Sequence, residues 1–124
     1  MNILDSSAWL EYIKNPAKVP HFAEIAENIE ELLVPSIILY EVFKAISRQA
    51  GKEVAIEVLG HMQMAKIIGI HANDALNAAW LSEEHKLPTA DALIYSIAHQ
   101  TGASLWTQDS DFKGLPFVNY FNKP

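Results

Sequence analysis

The stretch Met1-Asn2-Ile3-Leu4-Asp5-Ser6-Ser7 decides how this chain is read. A short apolar run stops on an aspartate followed by two hydroxyl residues. Such a run fits a strand buried on both faces, as in a parallel sheet with helices on either side. Ligands of such sheets bind beyond the carboxyl ends of the strands. Asp5 sits at one of those ends, so its carboxylate is expected to face that crevice. Ser6 or Ser7 can cap the next helix or orient the carboxylate through a hydrogen bond. The plainer alternative is that Asp5 and its serines do no more than cap a helix.

Outward from this stretch, Ala8, Trp9, Tyr12 and Ile13 keep helical spacing until Asn15-Pro16 ends the helix. Pro20 opens a second helix through Phe22, Ile25, Ala26 and Ile29, with Glu24, Glu27, Glu30 and Glu31 on a solvated face. Leu32-Leu33-Val34-Pro35 is a second strand, and Ser36 is the expected cap of a helix carrying Leu39, Val42, Phe43 and Ile46. Gly51 separates this helix from one running from Glu53 to about Met64, where Met62 and Met64 are expected to fill core. Ala65 to Ile70 predicts a third strand. Asn73 or Asp74 is expected to cap a helix to about Lys86, and Thr89 another that Gly102 closes. Ser104 to Thr107 is a fourth strand, Gln108 to Gly114 a loop, and Pro116 to Tyr120 a fifth strand. Strands alternating with helices predict a three-layer α/β/α sandwich with a mainly parallel sheet of about five strands.

The totals bound the function. With 124 residues, half of them apolar, and no Gly/Ser- or Pro-rich linker, the chain reads as one domain over residues 1–124. No apolar run approaches a membrane span, and Asp5 comes too early for a signal-peptide core, so a cytoplasmic protein is expected. The absence of cysteine excludes disulfides, thiolate zinc sites and cysteine nucleophiles. The net charge of −6 does not point to nucleic acid, and setting aside four candidate ligands leaves −2 (−6 plus 4). Acids gathered to hold cations distort such totals.

Four acids stand in apolar or strand-end contexts. Asp5 ends the first strand, and Asp109 follows the fourth by two residues. Glu41 is the only charge between Ser36 and Phe43, and Asp91 lies in the first turn after Thr89. Each has an ordinary alternative: a cap for Asp5, an i,i+3 pair with Lys44 for Glu41, the helix dipole for Asp91, and a loop acid for Asp109. Asp111 is a further candidate. Their joint arrangement says more, because two strand ends and two neighbouring helices can meet at one mouth. Clustered carboxylates must hold protons or bind cations. An all-oxygen set favours Mg²⁺ or Mn²⁺ over zinc. Two such ions about 4 Å apart can activate water and stabilise the leaving oxygen of a phosphodiester.

A family resemblance rests on these residues. Ile3-Leu4-Asp5-Ser6-Ser7-Ala8-Trp9 resembles the opening of a PIN domain, in particular the VapC-type toxin ribonucleases. Pro35-Ser36 with Tyr40-Glu41, then Thr89-Ala90-Asp91-Ala92-Leu93-Ile94, then Trp106-Thr107-Gln108-Asp109-Ser110-Asp111-Phe112 resemble its later motifs, in the family's order. The sequence departs from the family pattern at Gln108, where a basic residue is frequent. The resemblance implies a Mg²⁺- or Mn²⁺-dependent endoribonuclease, the toxin of a toxin–antitoxin pair, with a cognate antitoxin protein and a tendency to form a homodimer. It assigns Asp5, Glu41, Asp91 and Asp109 as the acidic quartet, Asp111 as an auxiliary acid, and Ser6 and Thr107 as supporting residues.

Lys44 and Arg48 share a helix face beyond Glu41 and are candidates for RNA phosphate, against the alternative of a solvated face. None of the five histidines shows metal-ligand spacing or falls in a motif. A metal-activated water leaving a 5′-phosphate is therefore expected over a histidine base and a cyclic phosphate. Trp9, Tyr12, Trp80 and Trp106 are expected in the core. Surplus apolar helix surface fits a dimer face or an antitoxin groove. Two rivals remain: a receiver-like phosphate-accepting pocket, and a catalytically idle PIN-like scaffold. The third strand ends Ile70-His71-Ala72 without an acceptor aspartate, which disfavours the first; the complete quartet disfavours the second.

Overall fold

Asn2–Leu4 forms strand β1, the middle of a five-stranded, all-parallel sheet in the computed structural model, which describes residues 1–124. The others are β2 (Leu32–Pro35), β3 (Lys66–Ile68), β4 (Ser104–Thr107) and β5 (Val118–Tyr120), in the order β3-β2-β1-β4-β5. From β1 the chain builds outward on one side through β2 and β3, then returns to the other side of β1 as β4. That reversal creates a crevice at the carboxyl ends of β1 and β4, where parallel sheets bind their ligands.

Ile3 and Leu4 are fully buried, and so is every residue of β2. Successive strand residues face opposite sides, so both faces are covered and the three-layer α/β/α sandwich follows. The helices are α1 (Ser6–Lys14), α2 (Pro20–Glu27), α3 (Ser36–Ala50), α4 (Lys52–Met62), α5 (Ala72–His85) and α6 (Thr89–Thr101). One cluster of 27 buried apolar residues runs through them and the sheet. Burying a side chain such as Ile3 or Leu4 stabilises by about 1.5–3 kcal/mol, which helps offset the cost of carrying Asp5 beneath the surface with them. No helix is long and apolar enough to cross a membrane.

Several local expectations are corrected. Strand β3 spans only three residues with Lys66 and Ile67 exposed, because as an edge strand it pairs with β2 alone. Strand β5 begins at Val118 rather than Pro116, since Phe117 takes a positive φ of 67°. Gly51, at φ 93°, lets α4 start at Lys52 directly after α3, in a conformation that would strain a residue with a side chain. Met62 is buried, but Met64 lies past the end of α4 and is exposed. Trp80 also points outward from α5 and is 77% exposed, while Trp9 is fully buried. Helices α3 and α6 begin at Ser36 and Thr89 without a side-chain cap. In α5 the cap is His71, whose N–H donates to Asp74 Oδ2 at 2.8 Å.

Candidate metal centre

The site is assembled from chain ends that the sheet brings together. Asp5 follows β1 and caps α1, its Oδ1 accepting from the Ala8 N–H at 3.1 Å. Ser7 Oγ donates to the same oxygen at 2.7 Å, and Thr107 Oγ1 donates to Oδ2 at 2.9 Å. Thr107 ends β4, so the β1–β4 pairing sets the second contact. The same Thr107 oxygen accepts from the Asp109 N–H at 2.8 Å and thereby fixes the start of the following loop. Asp109 in turn caps a short 3₁₀ turn, Ser110–Phe112, by accepting from the Asp111 N–H at 2.9 Å. One arrangement of Asp5 thus both caps α1 and ties its carboxylate to Thr107, which sets the loop of Asp109.

Glu41, from α3, and Asp91, from the first turn of α6, complete the cluster. Asp91, Asp109 and Asp111 each offer a carboxylate oxygen, and these oxygens lie within 4.8 Å of one another. The charge of Asp109 acts on each of Asp5, Glu41 and Asp91, which places all four at one mouth. Burial pushes Asp5 up to about 6, against the opposing hydrogen bonds from Ser7, Ala8 and Thr107. Burial also raises Glu41, opposed by the Ser6 hydroxyl and aided by the charge of Asp109. Asp91 is pushed up to about 8, by burial first, then by the charge and hydrogen bond of Asp109, then by Asp5 and Asp111.

Nothing cationic in the chain answers these carboxylates. The only ion pairs are Met1–Glu31 and His85–Glu84, so the i,i+3 pair of Glu41 with Lys44 does not form. Lys44 Nζ instead lies 3.4 Å from the Tyr40 hydroxyl. Glu41 Oε1 is buried with no hydrogen-bond partner. An uncompensated buried carboxylate oxygen, in an all-oxygen set with unanswered negative charge, fits a hard divalent cation. Asp91, Asp109 and the exposed Asp111 bring oxygens close enough together to share it, and Asp5 and Glu41 stand near enough to feel the charge of Asp109 and would complete the set.

The two serines divide the supporting roles that the sequence left open between them. Ser6 stands beside Glu41, whereas Ser7 holds Asp5 and accepts from the Gln108 N–H at 3.0 Å. Lys44 and Arg48 are exposed on α3 without ion-pair partners. Gln108 is buried beside the cluster, and the chain after β5 runs past it, with Tyr120, Asn122 and Lys123 lining a shared groove. Only the strand-end position of Gln108 hinted at this neighbourhood in the sequence.

Fold and site together define an α/β domain with an acidic centre at the switch point of a parallel sheet. The chain belongs to the PIN domain family, whose model matches residues 3–118. No curated protein matches it in sequence. Among solved structures it is similar to a toxin–antitoxin complex from Klebsiella pneumoniae, at a TM-score of 0.83 and 20% identity, covering 99% of this chain and 100% of that one. It is also similar to VapC20 of Mycobacterium tuberculosis, described as a sarcin–ricin-loop-cleaving toxin (TM-score 0.77, 17% identity, covering 95% and 97%). A DNA-bound VapBC from Salmonella typhimurium gives a TM-score of 0.78 at 18% identity, covering 98% of each chain.

Proposed function

We propose that this protein is a Mg²⁺- or Mn²⁺-dependent endoribonuclease, the cytoplasmic toxin of a toxin–antitoxin pair. The observation that carries the reading is the convergence of Asp5, Glu41, Asp91 and Asp109 on one mouth with no cation of the chain to balance them. Divalent ions held there would supply an activated water and neutralise charge on the phosphodiester leaving oxygen. The chain's own part is to hold ligands still. Thr107 and Ser7 fix the Asp5 oxygens, and Thr107 also sets the loop that carries Asp109. Asp91 is largely protonated at neutral pH without an ion, so it gives up a proton when an ion binds.

No histidine is among the groups that act on these carboxylates, which supports a 5′-phosphate product over a cyclic one. A protein partner is supported by an apolar groove of about 230 Å³ between α1 and α4, lined by Trp9, Tyr12, Ile13 and Val58, and by the exposed Leu76 and Trp80 on α5. An antitoxin segment in the groove and a second copy of the chain on α5 are the assignments we make. RNA digestion with Mg²⁺, with EDTA and with Asp5→Asn tests the main reading. Cleavage is expected only in the first case, with 5′-phosphate ends. Cleavage that survives EDTA, or cyclic phosphate ends, overturns it.

A further inference from the structure

Beside the acidic centre lies a surface that the quartet does not account for. A polar groove of about 570 Å³ opens from Asp109, lined by Ser7, Gln108, Tyr120, Asn122 and Lys123. A second groove of about 340 Å³ shares Ser7, Gln108 and Lys123 with the first and continues to Lys14 and Gln49. Together they form one polar track leading away from the site, with Lys123 on both parts. Glu11 also lines the second groove, beside Lys14.

The track is built by the sheet and by one anchoring ring. Parallel pairing sets Tyr120 opposite Thr107, the residue that holds Asp5. Phe121 then continues the pairing, its N–H donating to the Thr107 carbonyl at 2.9 Å. Its ring is stacked on Trp106 and on His21, with centroids 5.9 and 4.1 Å away, and meets Phe22 edge-on at 5.5 Å. Three aromatic partners fix where the chain leaves β5, and so deliver Asn122 and Lys123 to the rim of the site. Lys113 adds a third cation nearby, its Nζ 5.4 Å from the Tyr120 ring centroid.

Two observations say what the track takes. Lys14, Lys113 and Lys123, like every other lysine and the arginine of the chain, have no carboxylate partner within ion-pair distance, and these three gather beside the track. Gln108 is only 4% exposed, and its Nε2 is a buried donor with no acceptor. Free cations around an unanswered buried donor call for an anionic ligand rich in acceptor oxygens. We propose that this track holds the phosphate backbone of single-stranded RNA on one side of the scissile bond. Lys123 and Lys14 neutralise phosphates, and Gln108 Nε2 donates to an oxygen of the strand. This rests on the ribonuclease reading above, and it assigns RNA contact to the C-terminal segment and to the end of α1.

The test is steady-state cleavage of a randomised, fluorogenic 20-nucleotide single-stranded RNA with Mg²⁺ over a range of NaCl concentrations. Lys14→Ala/Lys123→Ala is expected to raise KM about five- to tenfold and leave kcat within about twofold, as loss of uniform substrate binding does. The slope of log(1/KM) against log[NaCl] becomes shallower by about 1.4, at about 0.7 per lost phosphate contact on a single strand. Lys123→Arg in the single-site background keeps the wild-type slope. Gln108→Ala raises KM without changing the slope, because a neutral donor releases no counterion. Wild-type KM and slope in the double lysine variant overturn the track while leaving the ribonuclease reading in place. Wild-type protein inert toward RNA overturns both.

Discussion

Asp5 and Asp91 belong to one cluster, yet the fold treats them oppositely. Asp5 is 2% exposed and Asp91 considerably more so, and by burial alone Asp5 would be the harder to ionise. The order is reversed, with Asp5 pushed up to about 6 and Asp91 to about 8. Asp5 accepts from Ser7, Ala8 and Thr107, and those donors favour its charged form. Asp91 faces the negative charges of Asp109, Asp5 and Asp111, and the fold gives it no comparable set of donors. Hydrogen bonding anchors the first carboxylate; no cation of the chain answers the second.

The comparison is sharpened most by activity. Asp5→Asn and Asp91→Asn are each expected to reduce Mg²⁺-dependent RNA cleavage by ~10²–10³-fold, the scale seen when one preorganised electrostatic contact is removed. Cleavage within twofold of wild type in either variant would break the claim that both serve the same centre. Stability then separates the two. Asp5→Ala strips the acceptor from two hydroxyls and the α1 N-terminus, and urea unfolding in EDTA is expected to show a loss of about 2–4 kcal/mol. Asp91→Asn, by removing a repelled charge, is expected to unfold at higher urea than wild type in EDTA at pH 8. Equal loss in both variants contradicts the division drawn above.

Smaller effects follow from the shared support and from protons. Thr107→Val removes the donor to Asp5 and the acceptor for Asp109, and is expected to weaken Mn²⁺ binding by ~10–100-fold in a calorimetric titration. Unchanged affinity would mean that Thr107 only fills space. The pH dependence has a definite sign. Asp91 binds its proton more tightly folded, near 8, than its ordinary value of 3.8. Its protonated form therefore favours the fold, and that contribution is lost as pH rises from about 4 through about 8. Denaturation of metal-free wild type across this window should show a decline that is weaker in Asp91→Asn and flattened by Mn²⁺. A decline identical in wild type and Asp91→Asn contradicts it.

How much of this was legible depended on whether a residue's surroundings are local. Asp5 ends an apolar strand and Asp109 follows one by two residues, yet a helix cap and a loop acid explain them as well as a site does. Glu41 and Asp91 sit on helices where an ordinary pair or dipole explanation is equally good, so only the joint pattern of the four told. The choice between Ser6 and Ser7 turned on helix phase: the first meets Glu41 and the second Asp5. Met64 and Trp80 looked like core by composition, but lie past a helix end and on an outward face, which tertiary packing alone decides. Beyond Gln108, the C-terminal track was hidden, because Lys123 reaches the site only through the β4–β5 register and the Phe121 stack.

The most direct test is calorimetric titration of Mn²⁺ into the protein at pH 7, repeated in buffers of different ionisation enthalpy. With Asp91 largely protonated and Asp5 partly so, ion binding is expected to release about one proton, and Asp91→Asn is expected to lose most of that release. Manganese that fails to bind, or that binds without releasing a proton from wild type, contradicts the account of an acidic centre held for divalent ions.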